Sequence, residues 1–128
     1  MKLKILLVDD DADILEVIGT RIKSWGYDLI TAIDANQALE FLDSQNPDIV
    51  VLDYRMPQKD GISALKDIRK TDKEIPVIMF TAYPDDKSIK GADNLGVLAF
   101  IPKFGVYSDS QAALQSALSM AVKKLGNK

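Results

Sequence analysis

Four short runs of the chain are almost wholly apolar: Leu3–Val8, Ile49–Leu52, Val77–Phe80 and Val97–Ile101. They are rich in β-branched or aromatic residues. Strands that are apolar at consecutive positions are buried on both faces, as in a parallel sheet covered by helices. Asp28–Ala32 is a weaker fifth strand.

Between the runs the period changes to that of a helix. Ile14, Leu15, Ile18, Ile22 and Trp25 form one stripe, with Gly26 as its C-terminal stop. Asp34 with Gln37 three residues later resembles a capping box, opening a second helix through Ala38, Leu39 and Leu42. Ile62, Leu65 and Ile68 make a third stripe. Leu114, Leu118, Ala121 and Leu125 make the last, with Ser108 or Ser110 as its expected N-cap. The helix between the fourth and fifth strands is the weakest. Its stripe is only Ile89, Ala92 and Leu95, and Gly91 inside it costs about 1 kcal/mol relative to alanine. A marginal helix is cheap to move.

Five strand–helix units in succession predict a doubly wound α/β fold, a five-stranded parallel sheet with helices on both faces. With no repeat, low-complexity tract or long linker, residues 1–128 are expected to form one domain.

Composition narrows the chemistry. The chain has neither cysteine nor histidine, so thiolate chemistry and a histidine phosphocarrier role are excluded for it. A net charge of −3 without a long basic run disfavours direct nucleic-acid binding. No apolar stretch approaches the roughly 20 residues of a membrane helix. The apolar start is cut short by Asp9, Asp10 and Asp11, which argues against a signal peptide and for the cytoplasm.

In a doubly wound sheet, ligands bind beyond the carboxyl ends of the strands. The residues there are Asp9, Asp10 and Asp11, then Asp53, Thr81 and Lys103. Taken singly, most have ordinary explanations: a helix N-cap for Asp11, a turn residue for Thr81, a solvated surface charge for Lys103. Together, at successive strand ends of one sheet, they make a site. Carboxylates brought within a few ångströms repel one another, and a hard divalent cation resolves that conflict. Mg²⁺ favours one or two carboxylates plus waters and phosphate oxygens, so the pattern suits Mg²⁺ with positions left open for phosphate.

The stretches Ile5–Asp10, Pro47–Pro57 with Asp60-Gly61, Pro76–Ala82 and Ala99–Lys103 resemble the receiver domains of two-component response regulators over essentially the whole chain. The resemblance implies a flavodoxin-like (βα)5 fold and a phosphoprotein. Asp53 would accept a phosphoryl group from a sensor histidine kinase or a histidine phosphotransfer protein, as an aspartyl phosphate. Asp10, Asp53 and the backbone carbonyl of Arg55 would ligate Mg²⁺, with Asp9 acting through a metal-bound water. Lys103 and Thr81 would contact phosphoryl oxygens. Thr81 and Phe100 would carry the switch, though Phe100 reads equally well as ordinary core. Arg55 and Tyr83 would tune the lifetime of the phosphate by hanging over it. A downstream protein would dock on the face made by the fourth helix, fifth strand and fifth helix. On this reading the chain is not an enzyme beyond its own phosphorylation and dephosphorylation. Its start at Met1 suggests a complete protein or the N-terminal part of a regulator.

One segment departs from the family pattern. The family commonly has Lys-Pro with a cis peptide, whereas here Pro102 precedes Lys103 and Phe104 follows it. A cis bond before a residue other than proline costs about 2.5–4 kcal/mol. Two other readings stay open. The first is a pseudo-receiver, an interaction module that no longer switches by phosphorylation, which the altered Phe104 would support. The second is a Mg²⁺-dependent phosphatase of the haloacid-dehalogenase type. Those enzymes carry a second Asp two residues after the nucleophile, and here that position is Arg55.

Overall fold

The computed structural model of the protein describes residues 2–53, 61–81, 86–102 and 107–126. In chain order it comprises β1 (Lys4–Val8), α1 (Ala12–Ser24), β2 (Asp28–Ala32), α2 (Ala35–Gln45), β3 (Ile49–Leu52), α3 (Gly61–Thr71), β4 (Val77–Thr81), α4 (Asp86–Asn94), β5 (Ala99–Pro102) and α5 (Tyr107–Gly126). The strands form one parallel sheet in the order β2-β1-β3-β4-β5. The order reverses at β1 and β3, which are hydrogen-bonded neighbours with Val8 opposite Leu52.

Alternate residues of each central strand supply two separate cores. Leu6, Val8, Val50, Leu52, Val77 and Met79 face α2, α3 and α4, whose Leu42, Leu65 and Ala92 meet them. Ile5, Leu7, Ile49, Val51, Ile78 and Phe80 face α1 and α5, through Ile18, Ile22, Leu114 and Leu118. This double burial is why the strands read as unbroken apolar runs.

The helix ends follow the sequence signals, with informative differences. Asp11 caps α1 by accepting from the Asp13 and Ile14 amides. At the other end Gly26, at φ 97°, closes a Schellman turn in which the Tyr27 amide reaches Ile22 O and the Gly26 amide reaches Lys23 O. α4 ends the same way around Gly96, at φ 73°, with Val97 N donating to Ala92 O and Gly96 N to Asp93 O. That turn holds Val97 to the helix, so β5 begins at Ala99 rather than at Val97, and Leu95 lies just beyond α4. Asp34 caps α2 through the Gln37 amide, but Gln37 Oε1 accepts from Ile33 N instead of from the cap residue itself. The expected cap at Ser108 or Ser110 is corrected. α5 begins at Tyr107, so both serines lie inside its first turn.

Candidate functional site

The register places the acidic residues. β1 and β3 run side by side and stop together at Val8 and Leu52, so Asp9 and Asp53 are the first residues beyond the paired ends. The backbone continues the ladder one step past the strands: Asp53 N donates to Val8 O at 3.0 Å and Asp9 N to Ala32 O at 3.0 Å. Both side chains are thereby fixed at the mouth of the sheet with little solvent access, Asp9 at 2% exposure and Asp53 at 7%. Asp10 follows in the β1–α1 connection and is exposed.

One carboxylate oxygen from each of Asp9, Asp10 and Asp53 lies within 4.8 Å of the other two. Asp9 Oδ1 also accepts from Asp11 N at 3.0 Å, which orients that carboxylate, while Asp11 turns away to cap α1. Asp11 is therefore a helix cap, and the triad is Asp9, Asp10 and Asp53. The donor set is all oxygen, which selects a hard cation over a soft transition metal. Opposite ligands of Mg²⁺ at ~2.0–2.1 Å stand about 4.1 Å apart, so donors this close fit such an ion with small adjustments. Two of the three carboxylates, Asp9 and Asp53, are buried, and Asp10 is exposed.

Thr81 is the last residue of β4, in register with Pro102 of β5, so both strands point their carboxyl ends toward the same edge as the triad. Phe100 pairs with Met79 and is half-buried against the core that also contains Ala92 of α4. Arg55, Tyr83, Lys103 and Phe104, and with them the Lys103–Phe104 peptide, lie outside the described residues.

At the opposite end of the sheet stands Arg69, which no motif or spacing in the sequence singles out. This half-buried residue in the last turn of α3 spreads its guanidinium over backbone carbonyls. Nε donates to Leu95 O at 2.8 Å, one terminal nitrogen to Ile75 O at 2.7 Å, the other to Gly96 O at 3.1 Å. An arginine beside a lysine late in a helix reads as a solvated face. Only the meeting of three chain segments reveals its partners. Burial lowers its pKa from the usual arginine value, against the opposing pull of Asp72.

Comparison with known proteins agrees with this arrangement. Residues 5–115 match the family described as response regulator receiver domain. A probable transcriptional regulator ycf27 of Guillardia theta is 41% identical over 107 residues, covering 80% of this chain and 42% of that protein. The chain thus spans about half, or less, of the length of such curated relatives. Among solved structures, the signal receiver domain of an HD domain-containing protein from Pseudomonas fluorescens Pf-5 superposes with a TM-score of 0.90 at 30% identity, covering 100% of both chains. A CheX–CheY–BeF3–Mg complex from Borrelia burgdorferi gives a TM-score of 0.82 at 29% identity, covering 94% of this chain and 89% of that one. With its profile, its 2-1-3-4-5 parallel sheet and its acidic residues at the β1 and β3 ends all in agreement, the chain belongs to the response regulator receiver domain family of two-component systems.

Proposed function

We propose that this chain takes a phosphoryl group from a phosphohistidine, on a sensor histidine kinase or a histidine phosphotransfer protein, onto Asp53 in the cytoplasm. The observation that carries the reading is the Asp53 carboxylate, fixed at the end of β3 within 4.8 Å reach of Asp9 and Asp10. An Asp53 oxygen attacks phosphorus in line with the P–N bond. That bond breaks, its electron pair stays on the imidazole nitrogen, and an acyl phosphate forms. Bound at Asp10, Asp53 and the Arg55 carbonyl, Mg²⁺ would neutralise charge on the phosphoryl oxygens. Asp9, oriented by the Asp11 amide, would hold a water of that ion. By resemblance, Thr81 and Lys103 contact the remaining oxygens, and Arg55 and Tyr83 limit the approach of water.

The output is a population shift in which Thr81 and Phe100 respond to the phosphoryl group. Phe100 shares a core with α4, so a change at one is felt at the other. β5 is an edge strand with α4 and α5 on its two sides, and this edge is the docking face for a downstream protein. The chain acts on no substrate but its own phosphate.

The test is incubation of the protein with Mg²⁺ and acetyl phosphate, read by intact mass, with beryllofluoride as a non-hydrolysable mimic. A gain of one phosphoryl group that disappears in Asp53→Asn supports the reading. No gain, together with no spectral response to beryllofluoride, leaves the pseudo-receiver interpretation standing.

A further inference from the structure

We propose that Arg69 makes the C-terminal end of α4 a fixed pivot, tying it to α3 and to the entrance of β4 so that α4 can only rotate about that end. The movement of α4 rests on the switching function proposed above; the tie itself does not. The Schellman turn at Gly96 uses the carbonyls of Ala92 and Asp93. Two carbonyls farther along the same turn, Leu95 O and Gly96 O, accept from Arg69 Nε and Nη2 at 2.8 and 3.1 Å. Arg69 Nη1 reaches Ile75 O at 2.7 Å and Asp72 O at 3.4 Å. The same side chain therefore joins the ends of two helices to the residue before Pro76, where β4 is entered.

The Arg69 partner on the β4 side is itself held. Asp72 Oδ1 accepts from the Glu74 and Ile75 amides at 2.8 and 3.0 Å, a turn that fixes the Ile75 carbonyl. Further along the same pair of helices, a Cβ built at Gly91 would stand 3.3 Å from Ile62 Cδ1, so α4 lies against α3 at Gly91 as well. A planar guanidinium can serve several carbonyls at once; a lysine ammonium at the same place has neither the fork nor the reach. The position calls for arginine in particular.

The experiment is residue-resolved amide exchange on the full chain, comparing the parent with Arg69→Met and Arg69→Lys. Exchange at Leu95, Gly96 and Val97 should accelerate at least about tenfold more than at Leu6 and Val51 in Arg69→Met, since bonds to a charged donor are lost there. Arg69→Lys should fall between the two. Equal acceleration at both places would mean a merely general loss of stability and would overturn the tie. In the parent protein, Mg²⁺ with beryllofluoride should alter exchange across residues 86–92 and leave 95–97 unchanged. A change that reaches 95–97 equally would refute the pivot. If the mimic alters no amide anywhere, the phosphoacceptor reading fails and the pivot with it, while the variants still decide the tie.

Discussion

The centre of the sheet and its β5 flank are built to different standards. Every residue of β3 is fully buried, as are Ile5 and Leu6 of β1, with Leu7 and Val8 at 1% exposure. On the flank, Leu98, Ala99 and Phe100 are only half-buried, and α4 is 9 residues long against 13 for α1. The triad of carboxylates hangs from the centre, where strands packed on both faces cannot shift without opening a core. The residues expected to respond, Phe100 and α4, belong to the flank. Holding several like charges together needs a rigid frame, whereas a switch needs an element whose alternatives differ by little free energy. If the chain switches as proposed, it separates the two demands in space.

The sharpest way to break the comparison is at the centre's own chemistry. Asp53→Asn should abolish phosphoryl uptake from acetyl phosphate, measured by mass, while leaving the fold intact because the substitution is nearly isosteric. Chelation of divalent cations should have the same effect on the unmutated protein. If uptake persists in Asp53→Asn, the centre is not the reactive region.

Packing supplies the next contrast. Leu52→Ala should lose about 2–5 kcal/mol in urea unfolding, as expected for a large buried side chain in a core that cannot collapse. Leu98→Ala should lose only about 1–2 kcal/mol, because its side chain is half-buried already. Comparable losses would mean that the flank is as tightly built as the centre.

Metal affinity comes third. Asp10→Asn should weaken Mg²⁺ binding by at least about tenfold in titration calorimetry, with little change in stability because Asp10 is exposed. The smallest effect belongs to α4. Gly91→Ala gains about 1 kcal/mol of helix propensity but must push the end of Ile62 aside. A net change below about 1 kcal/mol in urea unfolding is expected. A full gain would show that the glycine softens α4 and that nothing in the α3 contact requires it.

Most of the architecture was legible along the chain, for a reason specific to this fold. Parallel strands covered on both faces must be apolar at consecutive positions, so β1, β3 and β4 are visible as uninterrupted runs within a residue of their true limits. Helix ends marked by local hydrogen bonding, at Asp11, Asp34 and Gly26, were visible too. Two other boundaries were not. β5 starts late because the Gly96 turn holds Val97, and the serines read as a cap fall inside α5. Lys103 is picked out by its place at a strand end, and Phe100, Arg55 and Tyr83 only once the family resemblance is drawn; of these four the structure describes Phe100, half-buried beside the α4 core.

The sequence by itself determined the strand and helix alternation and the acidic residues at strand ends, since each is written in local periodicity or in a single residue type. Two things needed the tertiary structure. That Asp9, Asp10 and Asp53 share one site depends on β1 and β3 being neighbours, a pairing across more than forty positions of chain that no local pattern encodes. Arg69 is the sharper case. Its bonding partners are backbone carbonyls, which every residue has, so nothing in the identities of Ile75, Leu95 or Gly96 announces them. Where recognition is of backbone, only the folded path of the chain decides it.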